Sequence, residues 1–176
     1  MADLKHYIEQ VSKLISKAQN GLPEELFYFI SSITPMTNVD LLIKDNDNRT
    51  LLTWRNDKYY GPGWHIPGGI IRFKETFSIR ISEVAKNELG IKVIHEENPV
   101  SIKELFAKDR DVRGHFISLL FKCNFVTHPD IKNKYIDSNP QNGQWAWHAK
   151  SPDNLIHVHD PYRSCLLYTS PSPRDS

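Results

Sequence analysis

The stretch that decides the fold runs from Gly69 to Ile91 and reads GIIRFKETFSIRISEVAKNELGI. Apolar residues recur along its middle at the spacing of one helix face, which predicts an amphipathic helix. Glu88 falls on the same face, where a carboxylate is costly unless something pairs with it. A divalent cation is one such partner, and the alternative is an exposed glutamate in the last turn before Gly90. The apolar face consists of Phe77, Ile81, Val84 and Ala85.

The spacing of this stretch resembles the Nudix box, the loop–helix–loop signature of hydrolases that cleave a nucleoside diphosphate linked to another group. The box is a glycine, five residues, a glutamate, seven residues and then R-E-U-x-E-E-x-G-U, where U is a bulky aliphatic residue. The run WHIPGG that leads into Gly69 also resembles the strand that usually precedes the box. The residues that match the box are Gly69, Glu75, Glu88, Gly90 and Ile91.

Three positions depart from the box. Glu83 stands in the arginine slot, Val84 replaces the first glutamate of the metal face, and Asn87 replaces a second. Around a helix Glu83 lies about 140° from Glu88, so we expect it to face solvent, with Arg80 as a partner. The signature of the fold is therefore matched more fully than the signature of the chemistry.

Outside the box, the chain is similar to the GDP-mannose mannosyl hydrolase branch of the Nudix family, from about residue 23 to residue 163. Three runs carry this resemblance: ITPMTNVDL at residues 33–41, LLTWR at residues 51–55, and VHDPYR at residues 158–163. In that branch, water attacks the sugar carbon of a nucleotide sugar and releases a sugar and a nucleoside diphosphate. The resemblance therefore implies a nucleotide-sugar hydrolase.

The resemblance also implies a divalent metal, Mg²⁺ or Mn²⁺. In this sequence its ligands correspond to the Glu88 carboxylate, the Gly69 carbonyl and the Gln141 side chain. Asn142 stands where the branch has a histidine general base, and a carboxamide does not take up a proton near neutral pH. Glu75 is the other box carboxylate that could fill this catalytic role.

Five further residues are expected to contact substrate: Arg55, Arg72, Asp40, His115 and Asn142. Arg55 ends a predicted strand and could bind phosphate oxygens bidentately, or form a surface ion pair. Arg72 lies two residues after Ile70, which replaces an arginine of the branch, so both side chains share one strand face. Asp40 lies within an apolar strand, where it could contact a sugar hydroxyl or pair with an arginine. His115 opens a long strand, a position where histidines are also commonly structural.

The order of predicted elements indicates an α+β fold of the Nudix type, a mixed β-sheet sandwiched between helices. We expect an N-terminal helical extension at residues 1–32, with helices at 4–18 and 23–31. The Nudix domain is expected at residues 33–163, with its final helix beginning near Asp153. Residues 164–176 resemble translated sequencing adapter, and the alternative is a Ser/Pro-rich disordered tail.

The composition narrows the partners. A formal net charge of +1 provides no general basic field, so we expect no nucleic-acid partner. The apolar runs are too short for a membrane span, and two cysteines make no disulfide framework, so a cytoplasmic location is expected. The apolar stripe of the first N-terminal helix could form a homodimer contact.

Two functions of different classes remain open. The first is a metal-dependent hydrolase of a nucleoside diphosphate linked to another moiety, such as the nucleotide sugar GDP-mannose. The second is a Nudix-fold protein that has lost turnover and binds a nucleotide or nucleotide sugar as a sensor or scaffold. Val84, Asn87 and Asn142 favour the second function, because each replaces a residue of the family's chemistry.

Overall fold

A computed structural model describes residues 3–15 and 18–166, and within these ranges eight strands form two sheets. The α-helices are α1 (Leu4–Lys13), α2 (Glu24–Ile33), α3 (Phe77–Val84) and α4 (Arg163–Leu166). The strands are β1 (Met36–Ile43), β2 (Thr50–Arg55), β3 (Gly63–His65), β4 (Gly68–Ile70), β5 (Val93–His95), β6 (Ser101–Phe106), β7 (His115–Phe125) and β8 (Trp145–His148). The mixture of helices and strands confirms the predicted α+β class.

The larger sheet has five strands, in the order β4-β1-β7-β5, with β6 also paired to β7. It is mixed, as predicted, because β1 and β7 run parallel whereas the other pairs are antiparallel. Residues 38–43 of β1 are all buried, as expected for a strand that is covered on both faces. The smaller sheet, β3-β2-β8, is antiparallel. The sequence analysis predicted a single sheet and did not distinguish this one from the larger.

The helix predicted from the box is α3. The Thr76 side chain accepts a hydrogen bond from the Ile79 N–H and caps its first turn, while Ile81 and Val84 enter the core. The helix does not end there, since residues Ala85–Leu89 continue as one π-helical turn. Gly90, with φ of 67°, ends this turn in the left-handed conformation that glycine adopts without strain. Such turns are frequent at functional sites.

The two predicted N-terminal helices are present and differ in how they pack. None of the residues of α1 is buried, and its apolar side chains, including Leu4 and Ile8, are exposed. The helix ends at Lys13 and not at the predicted Ala18, which lies in a separate 3₁₀ turn at Ala18–Asn20. By contrast, α2 is docked on the domain through the buried Ser31.

The C-terminal part differs from the prediction. A 3₁₀ segment, His157–Tyr162, replaces the helix that was expected from Asp153, and α4 follows it directly. Leu166 is 2% exposed within the core, and its carbonyl accepts a hydrogen bond from Lys44 Nζ at 3.0 Å. Residues 164–166 therefore belong to the fold, and the rest of the predicted tail, 167–176, lies outside the described residues.

In the part of the chain that the structure describes, no helix is both long enough and apolar enough to cross a membrane.

Candidate functional site

A cavity of about 430 Å³ lies where β1, β4 and α3 face the N-terminal segment. The N-terminal segment contributes Gly21, Leu22 and Phe27 to its wall, and the glycine pair of β4 also lines it. The charged side chains that line the cavity, among the described residues, are Asp40, Arg55, Arg72, Arg80 and Arg113. An arginine-rich concave surface of this kind is suited to an anionic ligand.

Glu88 lies beside the glycine pair, as the box predicts. The π-helical turn places its Oε1 atom 3.0 Å from the Gly68 N–H, which donates to it. Its Oε2 atom lies 3.2 Å from His65 Nε2 and 3.4 Å from Thr53 Oγ1. Both carboxylate oxygens therefore have partners within the protein, which removes the cost of placing a carboxylate near the apolar face of the helix.

His65 is a site residue that the sequence analysis missed. It is buried on β3, lines the cavity, and its Nδ1 atom lies 2.9 Å from the Thr53 carbonyl oxygen. Since a carbonyl oxygen can only accept, Nδ1 carries a proton, and Nε2 is the nitrogen that faces Glu88. The available signal was the position of this histidine in the strand that leads into the glycine pair.

Asp40 lies beneath the glycine pair and is 1% exposed. Its carboxylate accepts hydrogen bonds from Asn38 Nδ2 at 3.0 Å and from the Ser118 hydroxyl, which in turn accepts from the Tyr162 hydroxyl at 2.6 Å. Burial raises the pKa of Asp40 to about 7, against the lowering effect of the Ser118 hydrogen bond. The expected alternative of an ion pair with an arginine is wrong, because the partners of Asp40 are uncharged.

The glycine at position 68 is required by Asp40. A Cβ atom there would lie 2.0 Å from Asp40 Oδ1 and 2.9 Å from the Val39 carbonyl oxygen. No larger residue fits without moving β1, so the glycine pair brings the backbone of β4 directly against the buried carboxyl group.

Glu75 does not lie free to act as a base. Its two oxygens accept from Arg80 Nε at 2.8 Å and Arg80 Nη2 at 2.7 Å, and the Arg72 N–H donates at 2.9 Å. Burial by itself would raise the pKa of Glu75, but the hydrogen bonds from Arg80 and Arg72 outweigh it, so that this pKa is lowered. Arg80 thus pairs with Glu75 and not with Glu83.

Two of the predicted phosphate contacts do line the cavity. Arg55 forms an ion pair with Asp57, and its guanidinium lies 4.8 Å from the centre of the Tyr60 ring. Arg72 is exposed at the cavity edge, where its guanidinium faces Gly21. Both side chains are placed where they could reach a phosphate group.

Three other predicted residues lie away from the cavity lining. The Gln141 side chain donates to the Asn139 carbonyl at 3.0 Å, and the Asn142 side chain accepts from the Asn56 N–H at 3.0 Å. Both side chains are exposed; that of Gln141 bonds within its own loop, and that of Asn142 ties the loop to the residue after β2. His115 lies 3.1 Å from a Glu104 oxygen at the start of β7. The structure therefore does not bring these three residues to Glu88.

The oxygen atoms at Glu88 fit Mg²⁺ that keeps most of its water ligands. In the described ranges, no group of three or more His, Cys, Asp or Glu side chains is arranged to hold a metal. The oxygens available there are those of the Glu88 carboxylate, whose Oε1 atom accepts from the Gly68 N–H. They suit Mg²⁺ that keeps most of its waters and shares substrate phosphates, because Mg²⁺ is commonly held by one or two carboxylates in that way.

Comparison with known proteins identifies the class of fold. No protein-family model matches the chain. The low-salt glycan biosynthesis protein Agl8 of Haloferax volcanii is 28% identical over 110 residues, which are 60% of this chain and 69% of that protein. A MutT Nudix hydrolase from Burkholderia pseudomallei superimposes with a TM-score of 0.56 at 17% identity, covering 76% of this chain and 96% of the other.

A UDP-X diphosphatase superimposes with a TM-score of 0.56 at 16% identity, and the match covers 95% of this chain and 82% of the other. The chain therefore has the fold of the Nudix hydrolases. At these identities the similarity defines the fold and not the chemistry.

Proposed function

We propose that this protein is a Nudix-type hydrolase that cleaves a nucleoside diphosphate linked to another moiety, namely a nucleotide sugar such as GDP-mannose. One observation carries the proposal: four arginines line the same cavity as the glycine pair, and Glu88 is hydrogen-bonded to Gly68 of that pair. A diphosphate carries the charge that such a lining complements, and Glu88 lies at the position that the Nudix box gives to its metal carboxylate.

The names of two similar proteins support a nucleotide-sugar substrate. One is called a UDP-X diphosphatase, and the other is called a glycan biosynthesis protein. Both names describe those proteins. For this chain, a nucleotide-sugar substrate is part of the proposal. We propose a cytoplasmic location, which is the one expected from the composition of the chain. Nucleotide sugars would be available there.

The proposal gives each residue a role. Arg55 and Arg72 would bind phosphate oxygens, since a guanidinium forms two parallel hydrogen bonds to such groups. Glu88 and the Gly69 carbonyl would hold Mg²⁺ or Mn²⁺, which when bound supplies positive charge against the diphosphate. His65 would orient the Glu88 carboxylate, because its Nε2 atom faces Glu88 Oε2 at 3.2 Å beside the cavity wall.

A binding protein without turnover is the second candidate function. It is favoured by the contacts of Glu88, whose two oxygens are already bonded to Gly68 and His65, and by the position of Gln141 outside the cavity lining. In this case the arginines would still bind a nucleotide sugar, and the protein would act as a sensor or scaffold.

A substrate panel separates the two candidates. Nucleotide sugars, dinucleoside polyphosphates and nucleoside triphosphates would be incubated with the protein and Mg²⁺, and products separated by chromatography. The hydrolase predicts turnover of nucleotide sugars that stops when EDTA is added. Binding of the same compounds by calorimetry, with no product after prolonged incubation, would instead establish the binding protein.

The exposed apolar face of α1 adds a homodimer to the proposal. We expect a species of twice the chain mass in sedimentation velocity. Replacing Ile8, which is 56% exposed, by glutamate should return it to monomer.

A further inference from the structure

Arg113 lies in the connection between β6 and β7 and has an unusual backbone conformation. Its φ is 55°, in the left-handed region that residues other than glycine rarely adopt. The connection is closed by a hydrogen bond from the Ala107 N–H to the Gly114 carbonyl at 2.8 Å. Strained residues of this kind persist only where the surroundings hold them, and they are concentrated at functional sites.

Two contacts hold the backbone of Arg113 in place. Its N–H donates to Ser31 Oγ of α2 at 3.1 Å, and its carbonyl accepts from the Tyr60 hydroxyl at 3.2 Å. The N-terminal extension therefore fixes one side of this residue, and the loop after β2 fixes the other. Because Ser31 is itself buried, α2 is a firm support for Arg113.

The side chain of Arg113 is held between two aromatic rings. Its guanidinium carbon lies 4.4 Å from the centre of the Tyr59 ring and 5.1 Å from the centre of the Phe27 ring. At these distances each ring attracts the cation and helps to hold the guanidinium in place. The residue lines the cavity together with Phe27, so the stacked guanidinium borders the space in which a ligand would lie.

Arg113 lacks the compensation that two other cavity arginines have. Arg80 is paired with Glu75 and Arg55 with Asp57. Among the described residues, no carboxylate oxygen lies within 4.0 Å of an Arg113 guanidinium nitrogen, so Arg113 forms no ion pair there. Its Nε atom is buried without a hydrogen-bond partner. Burial lowers the pKa of Arg113, which is the expected effect on a cation that has lost water, and the more distant charge of Asp57 does not offset it.

The geometry points to Arg113 as a diphosphate-binding residue, positioned by α2 so that the N-terminal extension completes the ligand site. This inference rests on the proposed function for the identity of the anion. A phosphate oxygen at the cavity wall would give the buried N–H a partner and the guanidinium its counter-charge. The N-terminal extension would then be part of the substrate site and not only a dimer contact.

Inorganic pyrophosphate is the probe that tests this role, because it carries the anion without a base or a sugar. We expect Arg113→Gln to weaken pyrophosphate binding by about 10- to 100-fold in calorimetry, the usual effect of losing hydrogen bonds to a charged group. Arg110→Gln is the matched control, since Arg110 stacks on Tyr60 at 4.1 Å in the same connection but does not line this cavity. It should bind pyrophosphate as the wild type does.

A second measurement uses only the wild-type protein, so it does not depend on whether a variant folds. In ¹⁵N spectra of the wild type, the Nε–H signal of Arg113 should shift when pyrophosphate is added, and that of Arg110 should not. Equal binding by the wild type and Arg113→Gln, or an unmoved Arg113 signal at saturation, would overturn the assignment. Nucleotide-sugar turnover could still be observed in that case, so the proposed function would survive it.

Discussion

At the scale of residues, the Glu75–Arg80 pair gives the most definite prediction about stability. Both side chains are 8% exposed and are joined by two hydrogen bonds. Removing one partner from a buried pair leaves an uncompensated charge, so we expect Arg80→Ala to lower the free energy of unfolding by about 3–5 kcal/mol. Urea denaturation measures this quantity.

The exposed pair between Arg49 and Asp45 is the control for that prediction. The Arg49 side chain is 42% exposed, and surface pairs contribute about 0–1 kcal/mol. Arg49→Ala should therefore change the free energy of unfolding much less than Arg80→Ala. Similar losses from both substitutions would show that the pair at the box has no special structural role.

Asp40 makes the stability depend on pH. Burial raises its pKa from 3.8 to about 7 in the folded chain. The folded chain then holds the proton more tightly than the unfolded chain does, so this group's contribution is fully present below about pH 4 and is lost as pH rises through about 7. Asp40→Asn, which has no proton to lose, should therefore gain stability relative to the wild type as pH rises from 5 to 8.

The gain should be on the order of 1.4 kcal/mol per pH unit up to about pH 7, and then level off. Urea denaturation of both proteins at pH 5, 6, 7 and 8 gives the comparison. A difference between the two proteins that does not change with pH would mean that Asp40 is ionised in the folded chain throughout this range.

At the scale of elements, α4 tests where the folded domain ends. Leu166 is 2% exposed within the core cluster, so Leu166→Ala should lower the free energy of unfolding by about 2–5 kcal/mol. Ile131→Ala, at a position that is 74% exposed, should change it little. If Leu166→Ala were as mild as Ile131→Ala, the domain would end near Arg163, as the sequence analysis expected.

The sequence predicted α3 because its apolar residues recur at 3.6-residue spacing, and periodicity of that kind depends only on neighbours along the chain. It could not reveal the π-helical turn at Ala85–Leu89, which is fixed by how Glu88 meets Gly68 in three dimensions. The strand expected to run through the glycine pair is split into β3 and β4, and β4 ends at Ile70, so Arg72 does not share a strand face with Ile70 as expected.

The candidate site shows the same division. The resemblance to the Nudix box placed Glu88 and the glycine pair in one motif, and the contact between them is the hydrogen bond from the Gly68 N–H. The misplacement of Gln141 and Asn142 has a different cause, as their loop is fixed by hydrogen bonds to β2 that spacing does not indicate. Arg113 reaches the cavity through contacts with α2, some 80 residues earlier in the chain, which no local pattern could show.

At the scale of the whole molecule, two sheets, the α3 segment and the N-terminal extension contribute to one arginine-lined cavity. Three strands contribute to the wall of this cavity: β3 places His65 there, β1 places Asp40, and β4 places the glycine pair. This convergence is the basis for proposing hydrolysis of an anionic substrate, because four arginines, a buried carboxyl group and a histidine meet at one place.

The release of GDP from GDP-mannose tests that claim most directly. It would be followed by chromatography in one Mg²⁺ buffer for the wild type, Glu88→Gln and Glu83→Gln. We expect wild-type turnover, a loss of at least about 100-fold in Glu88→Gln, and near-normal turnover in Glu83→Gln, because the metal's contribution acts through the carboxylate at the glycine pair. Absence of GDP release by the wild type, or equal rates for the two variants, would contradict the account.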